Sequence, residues 1–334
     1  MNATLKDVAE RAGVSRSAVS RTFTEGASVS ARTREKVEAA ARDLGYSPNV
    51  LARSLTTRQT RMVGLVSDNF HNPYFLEVFD LFTRSLQERG LRPLLVNLSG
   101  ATEPDASVRM LRQYSVDGVV VASSTLPPSF AQAFGKAGVP VVNSFARHAL
   151  SPLVDTVGID NVACGRLAAE EFVARGYRRV AFLGGPARAI SAQDRLKGFL
   201  DALTLHPGVS VTHSFADAYS FDAGRAEMQR LLQDKPAEAY FCGDDVVSIG
   251  ALSAMQDHGL RVPQDVGILG VNDMEMSGWA NINLTTIRQP TLDIVTASLD
   301  VMEEMLANPD HVPQSRIFPC ALVERGTLRP RIIP

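Results

Sequence analysis

Thr4-Leu-Lys-Asp-Val-Ala-Glu-Arg-Ala-Gly13-Val-Ser15-Arg-Ser-Ala-Val-Ser-Arg21 reads as two short helices joined by a tight turn. Thr4 and Asp7, three residues apart, form a capping-box-like start in which hydroxyl and carboxylate each accept from a free amide of the first turn. Leu5, Val8, Ala9 and Ala12 recur at the helical period and define an apolar face. Gly13 stops the helix, because glycine enters the left-handed cap without a Cβ penalty. Ser15 then caps a second helix in which Ala18, Val19 and Phe23 are expected to point inward, leaving Arg16, Ser17, Ser20 and Arg21 outside. Two generic surface helices have no need of guanidinium groups at the start of an otherwise uncharged helix behind a small turn. A helix-turn-helix does, so double-stranded DNA is the first partner to consider.

The next residues complete a minimal core. Ser30 caps a third helix whose buried stripe is Val37, Ala40, Ala41 and Leu44, and Gly45 is its stop. Pro48 keeps Ser47 out of helical geometry, Asn49 caps, and about two turns of helix follow. Two turns do not sustain themselves in water, since nucleation costs more than so few hydrogen bonds return. Such a hinge helix is expected to fold only against a partner copy and a DNA groove.

The runs TLKDVAERAGVSRSAVSRTF, VSARTREKVEAAARDLGYSPN and PNVLARSL resemble the headpiece of the lac repressor (LacI/GalR) family of bacterial transcription regulators over residues 4 to 56. The resemblance implies a recognition helix in the major groove, with Arg16, Ser17 and Arg21 at base edges. It also implies a hinge whose Ala52 and Leu55 enter the minor groove. The expected DNA-contacting set is Thr4, Ser15, Arg16, Ser17, Ser20, Arg21, Asn49, Ala52 and Leu55, on a pseudo-palindromic operator bound by a homodimer.

Composition agrees. The 334 residues are 45% hydrophobic, enough for a small head and a large core. The net charge of −2 hides an asymmetry: residues 1–60 carry ten Lys and Arg against six Asp and Glu, net +4, which leaves −6 for the rest. A basic head on an acidic body suits phosphate binding by the head alone. Cys164, Cys242 and Cys320 are far apart and lack metal-ligand spacing, so structural thiols in a reducing cytosol are expected, with no metal and no cofactor. No signal peptide and no apolar run near the roughly 20 residues of a membrane span is present. The expectation is a cytoplasmic protein without a membrane partner. Thr56–Arg61 is a polar linker.

From Met62 onward, short β-branched runs alternate with longer amphipathic ones. Strands are predicted at 62–67, 93–97, 118–122, 140–144, 156–159, 179–183, 239–242, 266–271 and 285–287. Helices are predicted near 73–90, 104–115, 129–137, 161–176, 192–204, 222–233, 245–259 and 290–307. Such alternation implies parallel sheets covered on both faces, and its length implies two doubly wound units. The predicted division is a headpiece at 1–46, hinge and linker at 47–60, and a core at 61–334. Within the core, an N-lobe is expected at about 61–159 and 289–325, and a C-lobe at about 160–288.

In such sheets ligands bind beyond the carboxyl ends of the strands. The loops there, Ser67–Phe75, Asp160-Asn161, Ser191–Arg195, Ala216–Phe221, Gly243–Asp245 and Asn272-Asp273, are polar and aromatic. That mixture suits a sugar-like molecule, whose rings stack on aromatic faces while its hydroxyls take bidentate hydrogen bonds. Each residue has a plainer reading. Asp245, Asp273 and Asn161 would equally serve as helix caps, Phe75 as core, Arg195 as a surface ion-pair partner, and His71 as a solvated loop residue.

The runs NPYF, GIDNVACGRLAAEEFVARGYRRVAFLGGP, DRLKGF, GDDVVSIGAL, DVGILGVND and LTTIRQP are similar to the effector-binding core of the same family, itself like a periplasmic sugar-binding protein. The implied fold is a small all-α helix-turn-helix head on a two-lobed α/β core with two parallel doubly wound sheets. The implied effector set is Asn72, Tyr74, Phe75, Arg195, Tyr219, Asp244 and Asn272. Two positions depart from the commoner pattern: Asp244-Asp245 stands where the family often has Asn-Asp, and Asn272-Asp273 where it often has Asp-Asp. Amide and carboxylate have changed places, so the effector is not borrowed from a relative. The sequence ends at Pro334 without a further heptad segment, and the tetramer-forming tail of the lac repressor is not expected.

Motifs for dinucleotide, P-loop, nucleophile-elbow and zinc-protease chemistry are absent, and Pro186 removes an amide that a phosphate cradle at Gly184-Gly185 would use. No enzyme is expected. A transport-type solute-binding protein would share the core but not the head. The reading is a ligand-responsive, sequence-specific DNA-binding repressor controlled by a sugar-like effector.

Overall fold

The structure, a computed structural model, describes residues 3–24, 26–47, 59–98, 103–308 and 310–332. The chain divides after Thr60 into two compact units.

In the first unit, α1 (Leu5–Ala12), α2 (Arg16–Thr22) and α3 (Ala31–Leu44) enclose Val8, Ala9, Val19, Val37, Ala40 and Ala41. The capping box forms: Thr4 N donates to Asp7 Oδ2 (2.8 Å) and Asp7 N to Thr4 Oγ1 (3.4 Å). Gly13 closes α1 at φ +64°, where an L side chain is strained. Ser15 and Ser30 accept from Ala18 N and Thr33 N, both at 3.2 Å. Leu44 departs from expectation. It is 37% exposed, because the inward place beyond the helix end goes to Tyr46, whose ring lies 5.9 Å from that of Phe23. Arg34 Nη1 donates to Thr22 O (3.1 Å), satisfying an orphan carbonyl at the end of α2 and tying α3 to it. The hinge expectation, with Asn49, Ala52 and Leu55, lies outside the described residues.

The second unit has two lobes. The first holds β1 (Met62–Ser67), α4 (Pro73–Glu88), β2 (Arg92–Asn97), α5 (Pro104–Gln113), β3 (Gly118–Ala122), α6 (Pro128–Lys136), β4 (Val141–Ser144) and β5 (Asp155–Ile159). The second holds α7 (Asn161–Ala174), β6 (Arg179–Gly184), α8 (Ile190–Leu203), β7 (Ser210–Phe215), α9 (Phe221–Leu231), β8 (Ala239–Cys242), α10 (Asp245–Asp257), β9 (Gly267–Asn272), a 3-10 turn (Glu275–Gly278) and β10 (Thr286–Arg288). The chain then returns to the first lobe with α11 (Thr291–Ala307) and β11 (Ser315–Phe318), and crosses once more to β12 (Ala321–Val323). Sheet orders are β11-β5-β4-β3-β1-β2 and β12-β10-β9-β8-β6-β7.

The differences from the sequence reading have physical causes, and the unpredicted β11 and β12 are short strands with no buried apolar run. The first lobe does not reach residue 325. Ala321–Val323 pairs antiparallel with β10, and Arg329 N donates to Tyr177 Oη (2.9 Å), so the tail belongs to the second lobe. The strand β7 was not expected, because Ser210, Thr212 and His213 are exposed on a sheet edge and leave no apolar run. Strands covered on both faces, such as Gly118–Ala122, are buried throughout and read as continuous apolar runs.

Helices α7 and α8 pack unusually close. A Cβ on Gly198 would lie 1.9 Å from Val162 O, and one on Gly165 would lie 2.0 Å from Arg195 O. Only glycine at both positions permits this approach, which sets Asn161 and Arg195 side by side.

Candidate functional site

The strand ends of both lobes converge on an interlobe cleft. Its inner chamber is small, about 20 Å³, and is lined by Tyr74, Phe75, Ser124, Phe145, Asn161, Ser191, Arg195, Tyr219, Asp244, Asn272 and Gln289. Six of the seven expected effector residues are therefore brought together. The seventh, Asn72, lies behind them: its Nδ2 donates to Asp244 Oδ2 (2.8 Å), and its Oδ1 caps α4 through Tyr74 N (3.1 Å).

Arg195 is buried, not a surface ion-pair partner. Its Nε donates to Asn161 Oδ1 (2.8 Å) and its Nη1 to Gly243 O (2.5 Å), while Nη2 has no protein partner among the described residues. The ion pair belongs to its neighbour, since Asp194 accepts from Arg147 Nε (2.7 Å) and Nη2 across the lobes. Asn161 is not the cap of α7. Asp160 takes that part by accepting from Ala163 N (2.9 Å), which releases Asn161 to orient the guanidinium.

The carboxylates divide their work similarly. Asp244 caps α10 through Val246 N (2.9 Å) and accepts from Asn272 Nδ2 (2.9 Å) with its other oxygen. The exchanged amide and carboxylate thus face each other directly. Asn272 Oδ1 accepts from Gln289 Nε2 (2.6 Å), and the Asn272 backbone stands at φ +120°, a sparsely populated region for a non-glycine residue. Burial pushes Asp244 up to about 6, against the pull of Val246 N, Asn72 and the Arg195 charge. Asp245 is no cap. It is buried beneath the cleft and accepts from Met274 N, Ser277 Oγ and Thr286 Oγ1. Asp273 is likewise engaged elsewhere, with Arg288 and Arg325 (2.6 Å each).

The aromatic side is both core and wall. Phe75 is 2% exposed, with Phe145 at 5.8 Å and Phe79 at 6.1 Å between ring centroids, and still lines the chamber. Tyr74 Oη shares a hydrogen with Thr291 Oγ1 (3.0 Å), and burial raises its pKa. His71 is exposed and lines no described pocket. Ser124 and Phe145 were missed although each sits just after a strand, where the search rule points. Gln289 was missed although it directly follows β10, within the run LTTIRQP. An outer chamber of about 270 Å³ opens from the inner one and shares Ser124, Phe145, Asn161 and Ser191 with it.

In the head, Arg16, Ser17, Ser20 and Arg21 are all exposed on α2, one side of which (Val19, Thr22) is buried. Thr4 and Ser15 sit at the two helix starts as caps. Among the described residues, no helix is long and apolar enough to cross a membrane.

Residues 4–49 match the family described as bacterial regulatory proteins, lacI family, and residues 169–328 match a periplasmic binding protein-like domain. The HTH-type transcriptional repressor PurR of Escherichia coli O139:H28 (strain E24377A / ETEC) is 32% identical over 332 residues, 98% of this chain and 97% of that protein. Its namesake from Klebsiella pneumoniae subsp. pneumoniae is also 32% identical over 332 residues. The lac repressor dimer bound to operator and the anti-inducer ONPF superposes with a TM-score of 0.88 at 27% identity, covering 99% of this chain and 100% of that one. The transcriptional regulator CelR in complex with cellobiose gives a TM-score of 0.73 at 29% identity, covering 97% and 99%. These relatives are regulators, not enzymes or transport proteins, and with its head and core both matched the chain belongs to the lacI family of bacterial regulatory proteins.

Proposed function

We propose that the protein is a homodimeric transcriptional repressor whose head reads an operator through Arg16, Ser17, Ser20 and Arg21 and whose cleft binds a small polar effector. The carrying observation is the cleft: buried Arg195, Asp244 and Asn272 of one lobe face Tyr74 and Phe75 of the other, in a chain with a lacI-type head. Arg195 Nη2 is unpartnered at the wall of the chamber, which suits a donor held ready for a ligand acceptor. Effector binding alters operator affinity only by the difference between its affinities for the two lobe arrangements.

Thermal-shift screening of sugars, polyols, sugar acids and nucleosides identifies the effector, since a ligand at 100 times its dissociation constant adds about 2.7 kcal/mol. Arg195→Ala should then keep operator binding, measured by fluorescence anisotropy, and abolish the response to that ligand. An Arg195→Ala protein that answers the effector at wild-type concentrations refutes the assignment.

A further inference from the structure

The outer chamber is furnished differently from the inner one. Its ionisable lining is Arg147 and His148, and no carboxylate lines it among the described residues. The carboxylates nearby are engaged: Asp194 holds Arg147 through Nε and Nη2, and Asp68 accepts from the hydroxyls of Ser123 and Thr125 (2.7 Å each). Arg147 Nη1, on a half-exposed side chain, is left without a protein partner among the described residues. His148 is fixed through Nδ1 by Ser315 Oγ (2.8 Å), and its Nε2 makes no protein hydrogen bond.

Asn143 supplies an independent sign. It is 7% exposed on β4, lines the same chamber, and its carboxamide makes no hydrogen bond to the protein among the described residues. The carboxamide lines the open chamber, where a bound group that accepts from it adds a hydrogen bond without breaking one within the protein. Polyol hydroxyls call for strong acceptors as well as donors. Here a guanidinium, an imidazole and a carboxamide line one chamber, and Asp194 takes Nε and Nη2 of the guanidinium but leaves Nη1; that surplus of donors favours an oxyanion.

We propose that the effector lies in the outer chamber and carries an anionic group, phosphate or carboxylate, held there by Arg147, His148 and Asn143, while its neutral part reaches the residues that the outer chamber shares with the inner one. The assignment rests on the cleft being the effector site. The two chambers adjoin at Ser124, Phe145, Asn161 and Ser191, so a molecule in the outer one borders the inner one. Because Arg147 of the first lobe stays paired with Asp194 of the second, the anion joins an interlobe ion pair and favours the closed arrangement.

The test uses matched pairs with the full-length dimer: D-glucose with D-glucose 6-phosphate and D-gluconate, D-galactose with its 6-phosphate and D-galactonate, inosine and adenosine with their 5′-monophosphates, plus neutral disaccharides. Thermal shift and calorimetric titration are run on wild type, Arg147→Gln, Asn143→Ala and Arg195→Ala. At least one anionic member should bind tenfold or more tighter than its neutral parent, and the phosphate and carboxylate arms identify the group. Arg147→Gln, which also breaks the pair with Asp194, should weaken the anionic member by tenfold or more beyond any loss for its neutral parent and remove most of the anion's salt dependence. Asn143→Ala should weaken the anionic member by a smaller factor. A neutral ligand that binds as well as any anion overturns the proposal, as does an equal loss of both members in Arg147→Gln. If only neutral ligands bind, and Arg195→Ala abolishes that binding while Arg147→Gln leaves it untouched, the effector site stands and the anionic subsite falls. If no member changes melting temperature or operator affinity, both fall.

Discussion

Asp245 offers a pH experiment on the floor of the cleft. Its carboxylate is fully buried and accepts from Met274 N (2.9 Å), Ser277 Oγ (2.8 Å) and Thr286 Oγ1 (2.6 Å). Burial, with the Asp244 charge adding, pushes its pKa from 3.8 up to about 7 despite those bonds. The unfolded chain ionises near the ordinary value and the folded chain resists until about 7. The stabilising contribution is therefore complete below pH 3.8 and lost as pH rises through about 7. At about 1.4 kcal/mol per unit of difference, the loss between pH 5 and pH 8 is roughly 2–3 kcal/mol. Other groups titrate too. Asp265, pulled down to about 2 by hydrogen bonds from Arg261, has the opposite sign. Comparing wild type with Asp245→Asn cancels these shared terms. Urea unfolding at pH 5 and pH 8, followed by fluorescence of Trp279, the only tryptophan, reports the second lobe. The stability difference should move toward the variant by roughly 2–3 kcal/mol between the two pH values. In an Asp244→Asn background the shift should shrink, because the neighbouring charge is gone. Parallel pH profiles for wild type and Asp245→Asn would refute the reasoning.

Three shorter predictions address other parts of the molecule. Arg21→Ala should cost about 1–3 kcal/mol on the operator and little on random DNA; equal losses in anisotropy titrations would demote Arg21 to a phosphate contact. Leu55→Ala should lower operator affinity and measured DNA bend together while the core keeps its effector response; an unchanged bend would remove Leu55 from the wedge role. Gly198→Ala drives a Cβ to within 1.9 Å of Val162 O and should cost at least about 1–3 kcal/mol of core stability by thermal unfolding, as overpacking does; a neutral result would show that α7 and α8 part freely.

Most of the fold was legible because its strands are covered on both faces. Val63, Leu65, Val119, Val120, Val121, Phe182 and Ile268 are at most 1% exposed, and such runs cannot be mistaken for loops. The edge strands β7 and β11 and the three-residue β12 were not legible, since none of them buries a continuous apolar surface. Six cleft residues were legible from strand ends and the family resemblance, and Ser124 and Phe145 lay within reach of the same rule. What could not be read was pairing. Asn72 with Asp244 and Arg147 with Asp194 are 172 and 47 residues apart in sequence, and they meet only because the lobes close on each other. The local motif fixed neither which of Asp244 and Asp245 caps α10 nor which of Asp160 and Asn161 caps α7. Adjacent acceptors compete for one helix end, and the loser becomes available for other work.

That competition bears on how the cleft responds to a ligand. In the closed arrangement the polar groups already satisfy one another across the lobes: Asn72 Nδ2 with Asp244 Oδ2 at 2.8 Å, Arg147 with Asp194, and Ser191 Oγ with Ser124 O at 3.5 Å. An effector that reaches Asp244 or Asn272 meets groups already partly satisfied, so its net gain there is smaller than at an unpartnered donor. Groups with unused capacity, Arg195 Nη2 and the Asn143 carboxamide, are different, because a ligand atom there adds a bond without breaking one. Differential affinity between open and closed lobes must therefore come chiefly from contacts that exist only when ligand and both lobes meet. Arg147 is placed for this, since its pair with Asp194 bridges the two lobes. Asp194→Asn should consequently weaken closure and ligand-dependent change in operator affinity together, while Arg195 keeps its ligand contact. Small-angle scattering with and without ligand checks it: a variant that still compacts as wild type does would show that the Arg147–Asp194 pair accompanies closure without driving it.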